Sequence, residues 1–373
     1  MKNVNVLINS GRVVPFFGTR KKLFTSIIEK GHRVTLTGYQ TGYEQKIRDF
    51  GSSFQRTPVR RAGFNPIADI RLLLSYYKII KQKKIDVVHS YTIKPNIYGS
   101  IAAWLCGVKK IYPTINGLGY AYTGNDFKTK VIRIITSILY KIAFLCSTKV
   151  FFQNSDDAEE MINRGLIKTE KCVVIAGSGI DINEFQRLEL PNSISFIMVS
   201  RLLKTKGVYQ YLEAARIVKQ KYKNVEIKLV GPLDLNPDGV KEEELQEFID
   251  EGIINYLGET NDVHSLLGDS SVFVLPSFYR EGVPHSILEA MSTGRAIITT
   301  DTPGCRETVK NGVNGFLVSV KNVEELAEKM VWMIENPNCL KNMSEESSLY
   351  AKEKFDVEKV NRDIIETMNL RRI

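Results

Sequence analysis

Two successive series of short apolar runs, with helical patterns between the runs, constrain this chain more than any other feature. In the first half the runs are VNVLI, RVTLTG, IDVVHS, KKIYPTI, KVFFQN and KCVVIAG, with helical periodicity at about 19–30, 42–50, 66–84, 94–106, 126–145 and 155–165. In the second half they are ISFIMVSRL, VEIKLVG, IINYLG, SVFVLP, RAIITT and GFLV. Alternation of this kind argues for βα units and parallel sheets. The predicted fold class is therefore α/β, with two doubly wound parallel-sheet domains. At QRLELPNSI (186–194) the pattern pauses and carries a Pro, which predicts the interdomain linker. We place the first domain at 1–187, completed by a C-terminal helix within 356–373, and the second at 193–355. Ligands of such sheets bind outside the carboxyl ends of the strands, so the site is expected in a cleft between the two domains.

The 373 residues suffice for two domains with sizeable cores. Five scattered cysteines show no CxxC pair or metal-ligand spacing and read as reduced thiols of a cytoplasmic protein. The opening MKNVNVLINSG reads as a first buried strand, not a signal peptide. No run of about 18 uncharged apolar residues exists to span a bilayer. The nearest stretch, VIRIITSILYKIAFLC (131–146), is interrupted by Arg133 and Lys141. It fits an amphipathic helix touching a membrane and equally a helix packed on a sheet.

The net charge of +9 conceals an asymmetry. Residues 1–185 carry 28 Lys+Arg against 13 Asp+Glu, and residues 186–373 carry 23 against 29. A basic first half suits an acidic partner such as nucleic acid, anionic lipid or a phosphorylated substrate, or it is simply a lysine-rich solvated surface.

The phosphate-site candidates narrow quickly. Gly11 and Gly18 in NSGRVVPFFG do not form G-x-G-x-x-G, and no acidic residue ends the RVTLTG run, so a nicotinamide or flavin site has weak support. No P-loop motif exists either. Gly11 fits a loop that lets backbone approach a ligand, or a structural turn. In VSRLLKTKG, Arg201 and Lys206 follow a strand and precede a helix, offering a forked donor set and a point charge, with Lys204 between them. In REGVPHSILEA, Pro284 fits the first helical position, and the helix N-terminus is a natural anion site. Glu281 and Glu289 flank that spot. Two cations and a helix end suggest a diphosphate, and two carboxylates beside it would accept paired hydroxyls, as the two sugars of a sugar nucleotide require. Taken singly, each glutamate also fits a solvated surface.

SRLLKTKG, followed about 75 residues later by SFYREGVPHSILEAMSTGRAIITTDTPGCRETVKNGVNGFLV, resembles the donor half of glycosyltransferase family four. These are retaining enzymes of the GT-B fold, two Rossmann-like domains facing across a cleft. INGLGYAYTG (115–124) resembles a loop of the branch acting on undecaprenyl-diphosphate-linked sugars in capsule, O-antigen and glycoprotein oligosaccharide synthesis. The resemblance implies that Arg201 and Lys206 bind the donor diphosphate and stabilise the departing nucleotide. Glu281 would hold hydroxyls of the transferred sugar, with Gly282, Val283 and Pro284 around it. Glu289 would bind the ribose, Gly11 and Gly231 would lie in the donor site, and the YLGETNDV loop (256–263) would border the base. Many family members carry a His where this chain reads Asn116, which leaves Asn116 to hydrogen-bond a sugar hydroxyl. His89 is a candidate neighbour of the cleft or a packed structural residue, and His285 is expected to support the helix start.

The function so implied is transfer of a hexose or N-acetylhexosamine from a UDP-sugar to a lipid-linked saccharide, with no metal or cofactor. The expected partners are the nucleotide sugar, the lipid-linked acceptor and an anionic membrane surface, not nucleic acid. The expected location is the inner face of the cell membrane, with RTPVRRAGFNP (56–66) and KQKK (81–84) facing it. A UDP-sugar epimerase of similar fold and a retaining glycoside hydrolase are the alternatives; the hydrolase would need neither Arg201 nor Lys206.

Overall fold

The computed structural model describes residues 3–59, 65–124, 126–234 and 236–372. The chain divides into two compact units, Met1–Gly179 with Val357–Ile373, and Ile180–Asp356. The first holds β1 (Asn5–Asn9), β2 (Arg33–Gly38), β3 (Ser53–Arg56), β4 (Val87–Tyr91), β5 (Lys110–Ile115), β6 (Val150–Phe152) and β7 (Cys172–Val174) in one parallel sheet, ordered β3-β2-β1-β4-β5-β6-β7. Six of these follow the apolar runs. The edge strand β3, SFQR, is half-buried and carries no such run.

Successive side chains on a strand point to opposite faces. Val6 and Ile8 of β1 join Val87 and Tyr91 of β4 in one core, with Leu23, Phe24 and Ile27 of the Lys21–Glu29 helix. Leu7, Val88 and Ile111 enter the opposite core, against Leu72, Tyr76 and Ile79 of the Pro66–Lys83 helix. The C-terminal helix Val357–Thr367 adds Val360, Ile364 and Ile365 to the first core. Each such aliphatic side chain contributes about 1.5–3 kcal/mol by leaving water.

The second unit holds β8 (Ser195–Val199), β9 (Glu226–Val230), β10 (Asn255–Tyr256), β11 (Val272–Leu275), β12 (Ala296–Thr300) and β13 (Gly315–Val318), ordered β10-β9-β8-β11-β12-β13. Each sheet winds outward from an interior strand and then resumes on that strand's other side. The order thus reverses between β1 and β4, and again between β8 and β11, where doubly wound sheets bind ligands.

The stretch predicted as a linker is exposed to half-buried chain within the second unit, and residues 180–187, expected in the first domain, also lie in the second unit. Ile180 N–H donates to Phe355 O at 2.7 Å, and Leu188 N–H to Thr293 O at 3.1 Å. Buried carbonyls must find donors. Arg295 supplies them: fully buried, its guanidinium donates to the carbonyls of Leu188, Glu189, Gly268, Ser270 and Thr293. Desolvation lowers its pKa to about 10. Nothing in the residue pattern of 186–194 announces an arginine a hundred positions downstream. Of the basic stretch 56–66, residues 60–64 lie outside the described residues. Among the described residues no helix is long and apolar enough to cross a membrane.

Candidate active site

Two loops of the second unit leave the switch point, one after β8 and one after β11. They are fastened together by backbone: Phe278 and Tyr279 N–H donate to Thr205 O at 2.9 and 3.0 Å. Thr205 Oγ1 donates to Asp238, and Thr300 Oγ1 to Ser277 O, which fixes both loops to neighbouring chain. Lys206 Nζ is thereby brought against Glu281 Oε1, and Ser277 Oγ donates to the same oxygen at 3.1 Å. The two charged side chains are only 15% and 13% exposed. An ammonium has three donors and this contact uses one, so Lys206 has donors left for an anion.

Arg201 Nη1 lies 2.9 Å from Asp234 Oδ2; the arginine side chain is 42% exposed and the aspartate 17%. Asp234 was not anticipated from sequence, because nothing in GPLDLNPDG marks one acid over another. Lys204 sits with its ammonium 5.9 Å from the Tyr209 ring.

One detail of the helix after β11 differs from expectation. Pro284, with φ −63° and ψ 118°, is the extended N-cap residue and not the first helical one; the helix is His285–Ser292. A proline's φ suits both positions, and only ψ separates them. His285, the first helical residue, supports the helix start through its i,i+4 partner. Its Nδ1 lies 2.9 Å from Glu289 Oε1 one turn on, orienting that carboxylate. The N-cap Pro284 has no side-chain cap bond to the helix, and a helix N-terminus carries a positive partial charge that favours an anion.

The 281–284 loop rests on Gly304. A Cβ there, at φ +81°, would lie 1.5 Å from Gly282 O, so only glycine permits the contact. Gly231 plays a comparable part: at φ +139° a Cβ would lie 1.7 Å from Ser200 O, beside Arg201. Its carbonyl accepts from Tyr256 Oη at 2.9 Å, joining the 256–263 loop to the same platform. Val283 is buried.

In the first unit, Gly11 follows β1, with Thr92 Oγ1 3.1 Å from where its Cβ would stand. Asn116 follows β5, and its Oδ1 is buried without a hydrogen-bond partner among the described residues. His89 is a core residue. It is fully buried, its Nδ1 2.9 Å from Tyr112 O, its ring edge-on to Tyr91 and Phe151. Burial pushes its pKa down to about 3, so the ring is neutral. Sequence reasoning missed Arg20, whose buried guanidinium donates to Ser10 Oγ at 2.8 Å and lies 3.9 Å over the Tyr91 ring. Among the described residues no three His, Cys, Asp or Glu are gathered as a metal would require.

Two doubly wound Rossmann-like units are the building blocks of the GT-B architecture. Residues 180–350 match the family model Glycosyl transferases group 1, and residues 16–154 match Glycosyl transferase 4-like. The N,N′-diacetylbacillosaminyl-diphospho-undecaprenol alpha-1,3-N-acetylgalactosaminyltransferase of Campylobacter jejuni is 30% identical over 365 residues, 93% of this chain and 94% of that protein. The UDP-Gal:alpha-D-GlcNAc-diphosphoundecaprenol alpha-1,3-galactosyltransferase of Escherichia coli is 31% identical over 71% of this chain and 70% of its own. The crystal structure of Anabaena HepE with UDP-glucose superposes with a TM-score of 0.76 at 20% identity, covering 98% of this chain and 100% of that one. The chain belongs to this glycosyltransferase family and is a glycosyltransferase.

Proposed function

We propose that the protein is a retaining transferase that moves a hexose or N-acetylhexosamine from a UDP-sugar to a saccharide carried on undecaprenyl diphosphate, at the cytoplasmic face of the membrane. The observation that carries the reading is the Lys206–Glu281 pair, desolvated at the β8/β11 switch point beside an uncapped helix N-terminus. The relatives' names support its two ends, since one names a UDP-Gal donor and both name diphospho-undecaprenol acceptors.

In this reading Arg201 and Lys206 hold the donor diphosphate and neutralise the charge that grows on it as the sugar leaves. Such preorganised charge stabilisation is worth several kcal/mol without any metal. Glu281 accepts hydroxyls of the transferred sugar, and Glu289, aimed by His285, accepts those of the ribose. Gly282, Val283 and Pro284 wrap the sugar, Gly231 sets the Arg201 loop, and Gly11 and Asn116 contribute from the first unit. The bond from the anomeric carbon to the phosphate oxygen breaks, and a bond to the acceptor hydroxyl oxygen forms on the same face. The acceptor proton passes to the departing phosphate oxygen. No cofactor is needed, and the partners are the two substrates and an anionic leaflet, not nucleic acid.

The test is nucleotide release from a panel of UDP-sugars, each with and without undecaprenyl-diphosphate-linked saccharides. Acceptor-dependent UDP release from one donor is expected and names the sugar. Conversion of a UDP-sugar without acceptor would overturn the assignment in favour of an epimerase, and silence across the panel from folded protein would overturn the substrate classes.

A further inference from the structure

We infer that the outer face of the Phe127–Cys146 helix is a lipid-docking surface that lies flat on an anionic bilayer, together with the adjoining ends of the Pro66–Lys83 and Ser100–Leu105 helices. This deepens the membrane part of the proposed function and rests on it. Phe127, Ile134, Ile138 and Leu145 are 83%, 61%, 57% and 70% exposed. With Val131 and Ile142, also exposed, they recur every three or four residues. At 3.6 residues per turn they occupy one arc of roughly 80° along the whole helix. The opposite side carries Thr136, Tyr140, Ala143 and Phe144 into the core. Isolated exposed aliphatics are ordinary, but a continuous stripe about 30 Å long is not.

The Ser100–Leu105 helix packs against both other helices and exposes Trp104 and Leu105, 59% and 50%. The Pro66–Lys83 helix adds Ile67, Ile70 and Leu74, all more than half exposed.

Charge selects the occupant. The three helices together carry eight Lys+Arg and a single acid, Asp69, which is buried in an ion pair with Lys94 at 2.7 Å. Lys130 and Lys141 border the apolar arc of the Phe127–Cys146 helix, and Arg71, Lys78 and Lys81 are exposed on the Pro66–Lys83 helix. A second copy of this surface would bring like charges together around its apolar patch. Anionic headgroups around an acyl layer match both parts at once, with cations at the headgroups, aliphatics below them, and a tryptophan at the boundary. The helix cannot cross instead of lying flat, because Arg133 and Lys141 interrupt it. The same face presents the first unit to a membrane that carries its acceptor.

The test is flotation with vesicles of phosphatidylcholine alone and of phosphatidylcholine mixed with phosphatidylglycerol, for the wild type and for Ile134→Glu/Ile138→Glu. Both substituted positions are solvent-exposed, and circular dichroism confirms the fold. Expected is flotation on the anionic vesicles alone, weakened by about tenfold or more in the variant. A second readout avoids the charged substitutions: in Trp332→Phe the sole remaining tryptophan is Trp104, and brominated phosphatidylglycerol should quench it. Wild type that floats equally with the variant, with Trp104 unquenched, would overturn this face while leaving a membrane partner in place. Absence of flotation, or a self-association removed by the variant, would overturn lipid docking altogether. Transfer to a soluble short-chain acceptor, unchanged in the variant, separates all these outcomes from failure of the transferase reading.

Discussion

Removing the charge of Glu281 without its shape separates the two tasks assigned to the Lys206–Glu281 pair. Breaking a fully buried pair costs about 3–5 kcal/mol because the partner is left charged and desolvated. Here both side chains keep a little water contact, 15% and 13%, so about 1–3 kcal/mol is expected for Glu281→Gln, which retains an oxygen for Ser277. For a unit of this size that lowers the melting temperature by roughly 2–10 °C. An anion binding at Lys206 should return part of the loss. UDP at a hundred times its dissociation constant contributes about 2.7 kcal/mol to the native state, and with one carboxylate charge gone the diphosphate meets less repulsion. Differential scanning fluorimetry with and without UDP is the assay. Glu281→Gln should keep or enlarge the UDP-induced shift while losing turnover, whereas Lys206→Ala should lose most of the shift. A full wild-type shift in Lys206→Ala would refute the reasoning, because the ammonium would then be structural and not an anion ligand.

Arg201→Ala should cost no more than about 1 kcal/mol of stability, since Arg201 is 42% exposed although its partner Asp234 is largely covered, yet cut acceptor-dependent UDP release by about 100-fold or more. Gly304→Ala should displace the Gly282 carbonyl it would strike; the expected outcome is lost turnover and a melting temperature lower by several degrees, and unchanged kinetics would contradict the described loop contact. His89 stays neutral in the folded chain to about pH 3, while an unfolded chain takes up its proton near 6.5. Between those values the unfolded state binds more protons, so stability falls as pH drops below 6.5, by at most about 1.4 kcal/mol per unit. His89→Asn, which preserves a donor toward Tyr112 O, should lose about 2 kcal/mol less than wild type between pH 7 and pH 5 in urea titrations; identical losses would place His89 in contact with solvent.

The central strands of both sheets were legible because they are buried on both faces and must therefore be apolar runs; β3, half-buried at an edge, had no such obligation. The cations after β8 and the carboxylates after β11 were legible because loops at strand ends carry few other demands. What joins them was not. Asp234 on Arg201, Ser277 on Glu281 and His285 on Glu289 are partners chosen by loop conformation, and Gly304 earns its place through a carbonyl twenty-two residues earlier in the chain. The unit boundary was hidden for a similar reason: the polar, Pro-bearing stretch is exposed to half-buried as it reads, but Arg295 holds its Leu188 and Glu189 carbonyls to the second unit. His89 was ambiguous because a strand-end histidine is polar by name, while here its ring spends itself on Tyr112, Tyr91 and Phe151.

Sorted by folded unit and not by sequence half, the charge asymmetry sharpens. The first unit carries 32 Lys+Arg against 14 Asp+Glu, a net +18, and the second 19 against 28, a net −9. Asp181 and Glu184 fall to the second unit, while the returning C-terminal segment brings Lys359, Arg362, Arg371 and Arg372 to the first. A unit with net negative charge does not attract a diphosphate from a distance, so under the proposed function donor capture rests on Arg201, Lys206 and the helix end at contact range. The proposed membrane partner would instead feel the first unit's excess at long range, as an extended anionic surface does. Salt separates the two regimes, because raising it from about 50 to 500 mM shortens the screening length from roughly 14 to 4 Å. Transfer to acceptor embedded in anionic vesicles should then fall about tenfold or more, while transfer to a soluble short-chain acceptor should change less than about threefold. Equal loss with both acceptors would mean that the positive unit serves the acceptor's own phosphates and not the membrane around them.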